Sequence, residues 1–249
     1  MKVPTENRGA AEATDQREED LKLLSSALSH DLEGSVRGVK SLASILLGRF
    51  GTQLDEEGCA MLRLLGAEAE RANRLLDGLM EWVTSALQPL TLTWQDTSRV
   101  AREAFGFAMK GAPEREIQFE LPVLPPVWSD EIALRKALYE LLANAVKFTG
   151  QQPAPRIVMA AQEVDGETVL SVCDNGVGFD LEHSKQLFKL FRRMHRKQEF
   201  PGEGAGLAIV CEIMQRHGGR VWVDAKIDRG ATFYLAFPKP LEEEGVPLT

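Results

Sequence analysis

The sequence predicts an α+β protein in two parts: an antiparallel helical hairpin that closes into a four-helix bundle when two chains pair, then an α/β sandwich. Three observations carry this reading. Between residues 21 and 88 apolar side chains recur at spacings of three and four. Pro89 ends that pattern. Beyond it, short apolar runs alternate with helical ones and are punctuated by Pro and Gly.

Residues 1–20 are polar and lack apolar periodicity, so they read as a disordered acidic leader. Leu21, Leu24, Leu28, Leu32, Val36, Val39, Ala43 and Leu46 then line one face of a first helix, which Gly48, Gly51 and Thr52 break. Asp55 is placed to cap a second helix, with Glu56 and Glu57 near its positive end. Its stripe runs through Met61, Leu65, Ala69, Ala72, Leu76, Leu79, Val83 and Ala86. Two such helices bury too little alone, and pairing of two hairpins covers both stripes, which predicts a homodimer; packing of the hairpin against the rest of its own chain is the alternative. From 89 to 240 the expected order is a strand over Leu90–Trp94, a helix over Ser98–Met109 and a strand over Ile117–Leu121. A helix opened by Ser129 then runs to about Phe148, followed by a hairpin of Arg156–Val164 and Glu167–Cys173 turning at Asp165-Gly166. A helix over Ala205–His217 and strands Arg220–Ala225 and Thr232–Phe237 close an antiparallel-rich sheet with its helices on one face. Residues 241–249 form an acidic tail.

Composition narrows the function classes. Of the 249 residues 44% are hydrophobic and 27% charged, the balance of a globular protein. No apolar run approaches the length of a membrane span and no signal-peptide core opens the chain, so the protein is expected in the cytoplasm. Most of the net charge of −8 sits in the two ends, leaving about −2 for the body. A body so nearly neutral is a poor partner for nucleic acid. Cys59, Cys173 and Cys211 are odd in number and widely spaced, which fits reduced thiols.

Three segments carry candidate chemistry. Asp174-Asn175-Gly176-Val177-Gly178-Phe179 follows an apolar strand; its carboxylate is placed to accept from an exocyclic amine such as that of adenine, and Gly176 and Gly178 allow close approach to a flat ring. The same residues also make an ordinary turn. On the preceding helix Glu140 and Asn144 share a face, with Lys147 a turn beyond. Asn144 offers a neutral oxygen to Mg²⁺ and Lys147 a point charge to phosphate, though a solvated polar stripe looks alike. Gly202, Gly204 and Gly206 lead into a helix whose free N–H groups suit phosphate. Between Phe179 and Gly202 lies a basic, aromatic stretch including Phe188, Phe191, Arg192, Arg193 and His195, which reads as a mobile lid or as a docking surface.

The order N-x-A-x-K-F-T, D-x-G-x-G, F-x-x-F, G-x-G-x-G-L resembles the N, G1, F and G2 boxes of the two-component sensor histidine kinases, over about residues 21–238. Their ATP-binding domain is shared with DNA gyrase and mismatch-repair ATPases, and Gly230-Ala231-Thr232-Phe233 is similar to the family's closing segment, where the Thr lines the nucleotide site. The resemblance implies ATP and Mg²⁺ bound by Asn144, Lys147, Phe148, Asp174, Gly176, Gly178, Arg192, Arg193, Gly202, Gly204, Gly206, Leu207 and Thr232. It also implies a phospho-accepting histidine on the first helix, supplied by Ser29-His30-Asp31-Leu32, and transfer to the receiver domain of a response regulator. Asp31 is placed to orient the imidazole and take its proton while the other nitrogen attacks the γ-phosphate. His183, His195 and His217 read as structural or lid residues, and Met194-His195 and His217-Gly218-Gly219 are similar to kinases attached to phytochromes.

Two departures stand out. Glu33, Gly34 and Ser35 occupy the places of the family's usual x-[Thr/Asn/Glu]-Pro, which implies a straighter first helix and weak phosphatase activity. Glu140 stands where the family often has Asn and where the related ATPases have a general base. Three readings remain open: an autophosphorylating kinase, a non-catalytic phosphotransfer scaffold, and a gyrase-like conformational ATPase using Glu140. No sensory segment precedes the first helix, so the signal is expected through a separate sensor protein or a sensor domain missing from this chain.

Overall fold

The structure, a computed structural model, describes residues 31–192 and 202–240, the side chains of 183–185 excepted. It divides after Leu87 into two compact units. No helix among the described residues is long and apolar enough to cross a membrane.

In the first unit, helix α1 occupies 31–50 of the described residues and α2 spans Glu56–Leu87. With no proline at position 35, α1 continues unbroken through Gly34 and Ser35, whose hydroxyl donates to the Asp31 carbonyl at 2.8 Å. Gly48 remains helical, and the break comes at Gly51. There a methyl group would stand 2.3 Å from the Leu47 carbonyl oxygen. Asp55 caps α2 by accepting from the Gly58 N–H at 2.7 Å. An ion pair between Lys40 and Glu70, and Ala43 lying opposite Gly66, set the helices antiparallel. Among the described residues of this unit only Ala43, Ala69 and Val83 are buried apolar side chains, whereas Leu42, Ile45, Leu46, Met61, Leu64 and Leu65 are 41–63% exposed.

The second unit is built on a five-stranded sheet and a small two-stranded one. Strands β1 (Thr93–Gln95) and β3 (Val127–Ser129) pair antiparallel. The main sheet runs β2-β4-β5-β7-β6, from β2 (Gln118–Glu120), β4 (Arg156–Val164), β5 (Glu167–Asp174), β6 (Arg220–Lys226) and β7 (Gly230–Pro238). Only β2–β4 is parallel. Asp165 (φ 50°) and Gly166 (φ 80°) form the β4–β5 turn, as the Asp-Gly pair predicts. Helices α3 (Thr97–Met109), α4 (Glu131–Phe148) and α5 (Gly206–Arg216) cover one face. There Leu134, Leu138, Leu141, Ile209 and Met214 bury against Ile157, Met159, Leu170, Val172, Phe233 and Leu235. The other face stays more open, with Trp222 and Tyr234 stacked at 5.0 Å.

Two expectations are corrected. Ser129 does not open α4: it ends β3, and Asp130 is the cap, accepting from Ala133 N–H at 2.9 Å. The expected strand at Leu90–Trp94 is shifted to Thr93–Gln95, because Thr91 N–H is already donated to Asp130 Oδ2. His217 is a structural histidine. Its ring is buried, Nδ1 faces the Ile213 carbonyl at 2.7 Å, and Nε2 accepts from Asp130 N–H at 3.1 Å. Burial holds its pKa below the ordinary histidine value, so the neutral ring bolts the end of α5 to the start of α4.

Candidate functional site

The C-terminal turn of α4, the end of β5 and the start of α5 converge at one end of the second unit. Asp174 closes β5 with its carboxylate 5% exposed. Burial pushes its pKa up to about 6, against the pull of the Gly176 and Ala231 N–H groups. Gly176 N–H reaches Oδ1 at 2.8 Å. The close approach that Gly176 and Gly178 permit is to protein backbone: a methyl at Gly176 would lie 2.6 Å from the Phe148 carbonyl oxygen, and one at Gly178 2.0 Å from that of Lys226. Gly178 also takes φ 57°. Val177 N–H donates to the Phe148 carbonyl at 3.2 Å and its own carbonyl accepts from Asp228 N–H at 2.8 Å. The loop holding Asp174 is thereby tied to α4 on one side and to the β6–β7 turn on the other.

On α4, Lys147 Nζ donates to Asn144 Oδ1 at 2.9 Å and lies 4.3 Å from the centre of the Phe148 ring. A methyl at Gly202 would come 3.7 Å from Lys147 Nζ, so the glycine-rich segment begins beside the cation. Phe191 N–H donates to the Gly204 carbonyl at 3.0 Å, joining the two ends of the segment that contains residues 193–201. Glu140 is ion-paired with Lys136 at 2.9 Å, and a methyl at Gly206 would fall 2.2 Å from its Oε2. Leu207 follows in the first turn of α5, and Arg192 is exposed.

The structure thus brings together Glu140, Asn144, Lys147, Phe148, Asp174, Gly176, Gly178, Gly202, Gly204, Gly206 and Leu207. Thr232 does not join them. The register sets Ala231 opposite Asp174, and strand alternation turns Thr232 to the open face with Tyr234. Ala231 is the residue that the sequence reading missed, and counting by two from buried Phe233 and Leu235 finds it. His30, Arg193 and His195 lie outside the described residues, as does the side chain of His183. Asp31 is exposed in α1.

The donor set fits a nucleotide with a partly hydrated divalent ion. A buried carboxylate able to accept an amine lies across from an amide oxygen and an ammonium beside a glycine-lined helix start. No group of three or more His, Cys, Asp or Glu among the described residues makes a metal cage. A hard ion here would take most of its ligands from phosphate and water.

Comparisons with known proteins agree with this geometry. Residues 129–241 match the family of histidine kinase-, DNA gyrase B-, and HSP90-like ATPases. The phytochrome-like protein Cph1 of Synechocystis is 29% identical over 88% of this chain and 29% of its own length. The sensor histidine kinase ZraS of Klebsiella oxytoca is 29% identical over 90% of this chain and 48% of its own. Among solved structures, full-length ShkA in complex with AMPPNP superposes with a TM-score of 0.59 and 26% identity, covering 86% of this chain and 45% of that one. The chain spans less than a third of the length of the phytochromes it matches. Residues 129–241 thus form a domain of the histidine kinase-, DNA gyrase B-, and HSP90-like ATPase family, and most of the chain is similar to sensor histidine kinases.

Proposed function

We propose that this chain is an ATP-dependent, autophosphorylating protein histidine kinase of the cytoplasm. It acts as a homodimer, phosphorylates His30 and passes the phosphoryl group to an aspartate of a response regulator receiver domain. The observation that carries the reading is the meeting of buried Asp174 with Asn144, Lys147 and the glycine-lined start of α5. In this reading Asp174 accepts from the adenine amine, Lys147 and the start of α5 hold phosphates, and Asn144 turns its amide oxygen from Lys147 to Mg²⁺. The ion supplies charge neutralisation at the transferring phosphoryl group. Asp31 holds the His30 ring and accepts one proton, the other ring nitrogen bonds to the γ-phosphorus, and ADP leaves. Arg192 and Arg193 offset charge from the segment that closes over the nucleotide.

The exposed apolar face of the hairpin supports the homodimer. The scaffold reading fares worse, because the buried acidic group and its glycine packing are intact. Glu140, committed to Lys136 and packed on Gly206, is poorly placed to activate water, which disfavours the ATPase reading. The test is incubation with γ-labelled ATP and Mg²⁺. Label should be acid-labile, as phosphohistidine is, and His30→Gln should abolish it while ATP affinity stays within about twofold. Label that survives His30→Gln removes the proposed acceptor.

A further inference from the structure

The geometry points to Arg115 as a positioning residue for the base end of the nucleotide site, an assignment that rests on the reading of Asp174 as the adenine acceptor. Arg115 lies in the loop between α3 and β2, outside every motif of the sequence. Its guanidinium donates to the Val146 carbonyl through one nitrogen, and to the Thr149 carbonyl at 2.8 Å and the Thr149 hydroxyl at 3.2 Å through the other.

A helix end leaves its last carbonyls without intrahelical donors, so each needs a partner. At the end of α4 Arg115 adds a second donor to two carbonyls, that of Val146, which also accepts from the Thr149 hydroxyl at 3.1 Å, and that of Thr149, which also accepts from Gln152 N–H at 3.0 Å. The Ala145 carbonyl accepts from Thr149 N–H at 3.1 Å and from its hydroxyl at 2.8 Å, and the Lys147 carbonyl accepts from Gly150 N–H at 3.1 Å. The Phe148 carbonyl accepts from Val177 N–H. Arg115 grips Val146 and Thr149, the carbonyls on either side of Lys147 and Phe148, with one planar fork. It thereby fixes the direction of the Phe148 carbonyl, on which Val177 and Gly176 seat, and Gly176 in turn donates to Asp174. The chain of contacts runs from Arg115 through the helix end to the carboxylate without touching nucleotide. A cation at the negative end of a helix adds to the same grip.

The experiment measures Kd for ATP and for GTP, each with Mg²⁺, on wild-type, Arg115→Met and Arg115→Lys chains, together with their melting temperatures. Guanine presents an oxygen where adenine presents the amine, so the ATP-to-GTP ratio reports where Asp174 stands. Arg115→Met should weaken ATP about tenfold and shrink the ratio by a similar factor. Arg115→Lys, with one ammonium for two carbonyls, should fall between. Unchanged ATP affinity in the methionine variant overturns the assignment, and so does an equal loss for ATP and GTP. If the methionine variant does not fold, the lysine variant decides: wild-type affinity and ratio there overturn it too. Failure of the wild-type chain to bind ATP at all sinks the nucleotide-site reading first, and with it this one.

Discussion

The hairpin and the sandwich domain solve the same problem differently. The sandwich closes its own core, with Leu134, Leu138, Leu170, Met214 and Leu235 wholly buried within one chain. Among its described residues the hairpin buries only small or branched apolar side chains, Ala43, Ala69 and Val83, and leaves eight large ones between Leu42 and Leu65 open. Apolar burial is worth roughly 25 cal/mol per Å², so the second unit holds its stabilisation within itself, whereas for the hairpin the proposed interface with a second copy would supply it. The proposed kinase gains from this division. In that reading the sandwich keeps its own core and site, while the acceptor helix would respond to whatever alters the proposed pairing of two chains.

The contrast breaks most sharply at the hairpin loop. Leu65→Glu places two carboxylates in the proposed interface of a symmetric pair, costing about 4 kcal/mol or more. The dimer dissociation constant should rise about a thousandfold. ATP affinity and the melting of the sandwich should not change. Sedimentation of wild-type and variant chains over a concentration series, beside ATP titration, is the check; an undisturbed dimer would place the interface elsewhere.

Next in size is the cost of Asp174. A carboxyl whose folded pKa is about 6, against an ordinary 3.8, binds more protons folded than unfolded between those values. Stability is therefore greatest below pH 4 and is lost as pH rises through 6, by about 3 kcal/mol for this group. Asp174→Asn should raise the melting midpoint of the nucleotide-free chain at pH 7.5, with the gain vanishing near pH 4. The same change should lower ATP affinity. Wild-type ATP affinity should itself fall as pH drops below 6, where the protonated acid ceases to accept the amine. A variant that is both no more stable and no weaker in binding would remove Asp174 from its role.

Local patterns carried much of this into the sequence. The β4–β5 hairpin, the α5 helix and the Asp55 cap lie where turn chemistry and periodicity put them, because each is decided within a few residues. What was illegible is long-range. Strand β3 has three residues after two prolines, too few to show a period, and exists because β1 pairs with it across the α3 helix. The cap passed from Ser129 to Asp130 because His217, 87 residues away, orders that backbone. Thr232 was taken for a site residue on its motif position, but alternation along β7 gives the inner face to Ala231. Arg115 carries no motif, and only its hydrogen bonds to the carbonyls at the end of α4, more than thirty residues away, reveal its place.

The smallest effect on stability tests the finest functional reading, the weak phosphatase. Hydrolysis of a regulator's aspartyl phosphate needs a water held in line with phosphorus, and a placed polar side chain lowers the entropic barrier to that geometry. Position 34 follows His30 by four residues, one helical turn along the same face. Glycine there offers only backbone already engaged in α1, and costs about 1 kcal/mol of helix stability relative to alanine. A side chain added at Gly34 meets nothing within 4 Å, so the site is open to one. Gly34→Thr and Gly34→Asn should therefore fold, with α1 more stable by about 0.3 kcal/mol for threonine. Both should speed the decay of a purified phosphorylated receiver domain in the presence of ADP, and leave autophosphorylation within about twofold. Rapid decay with the wild-type chain would show that another group holds the water. Glu33 would then be the residue to remove, although its carboxylate is paired with Arg37 at 3.2 Å along the same helix.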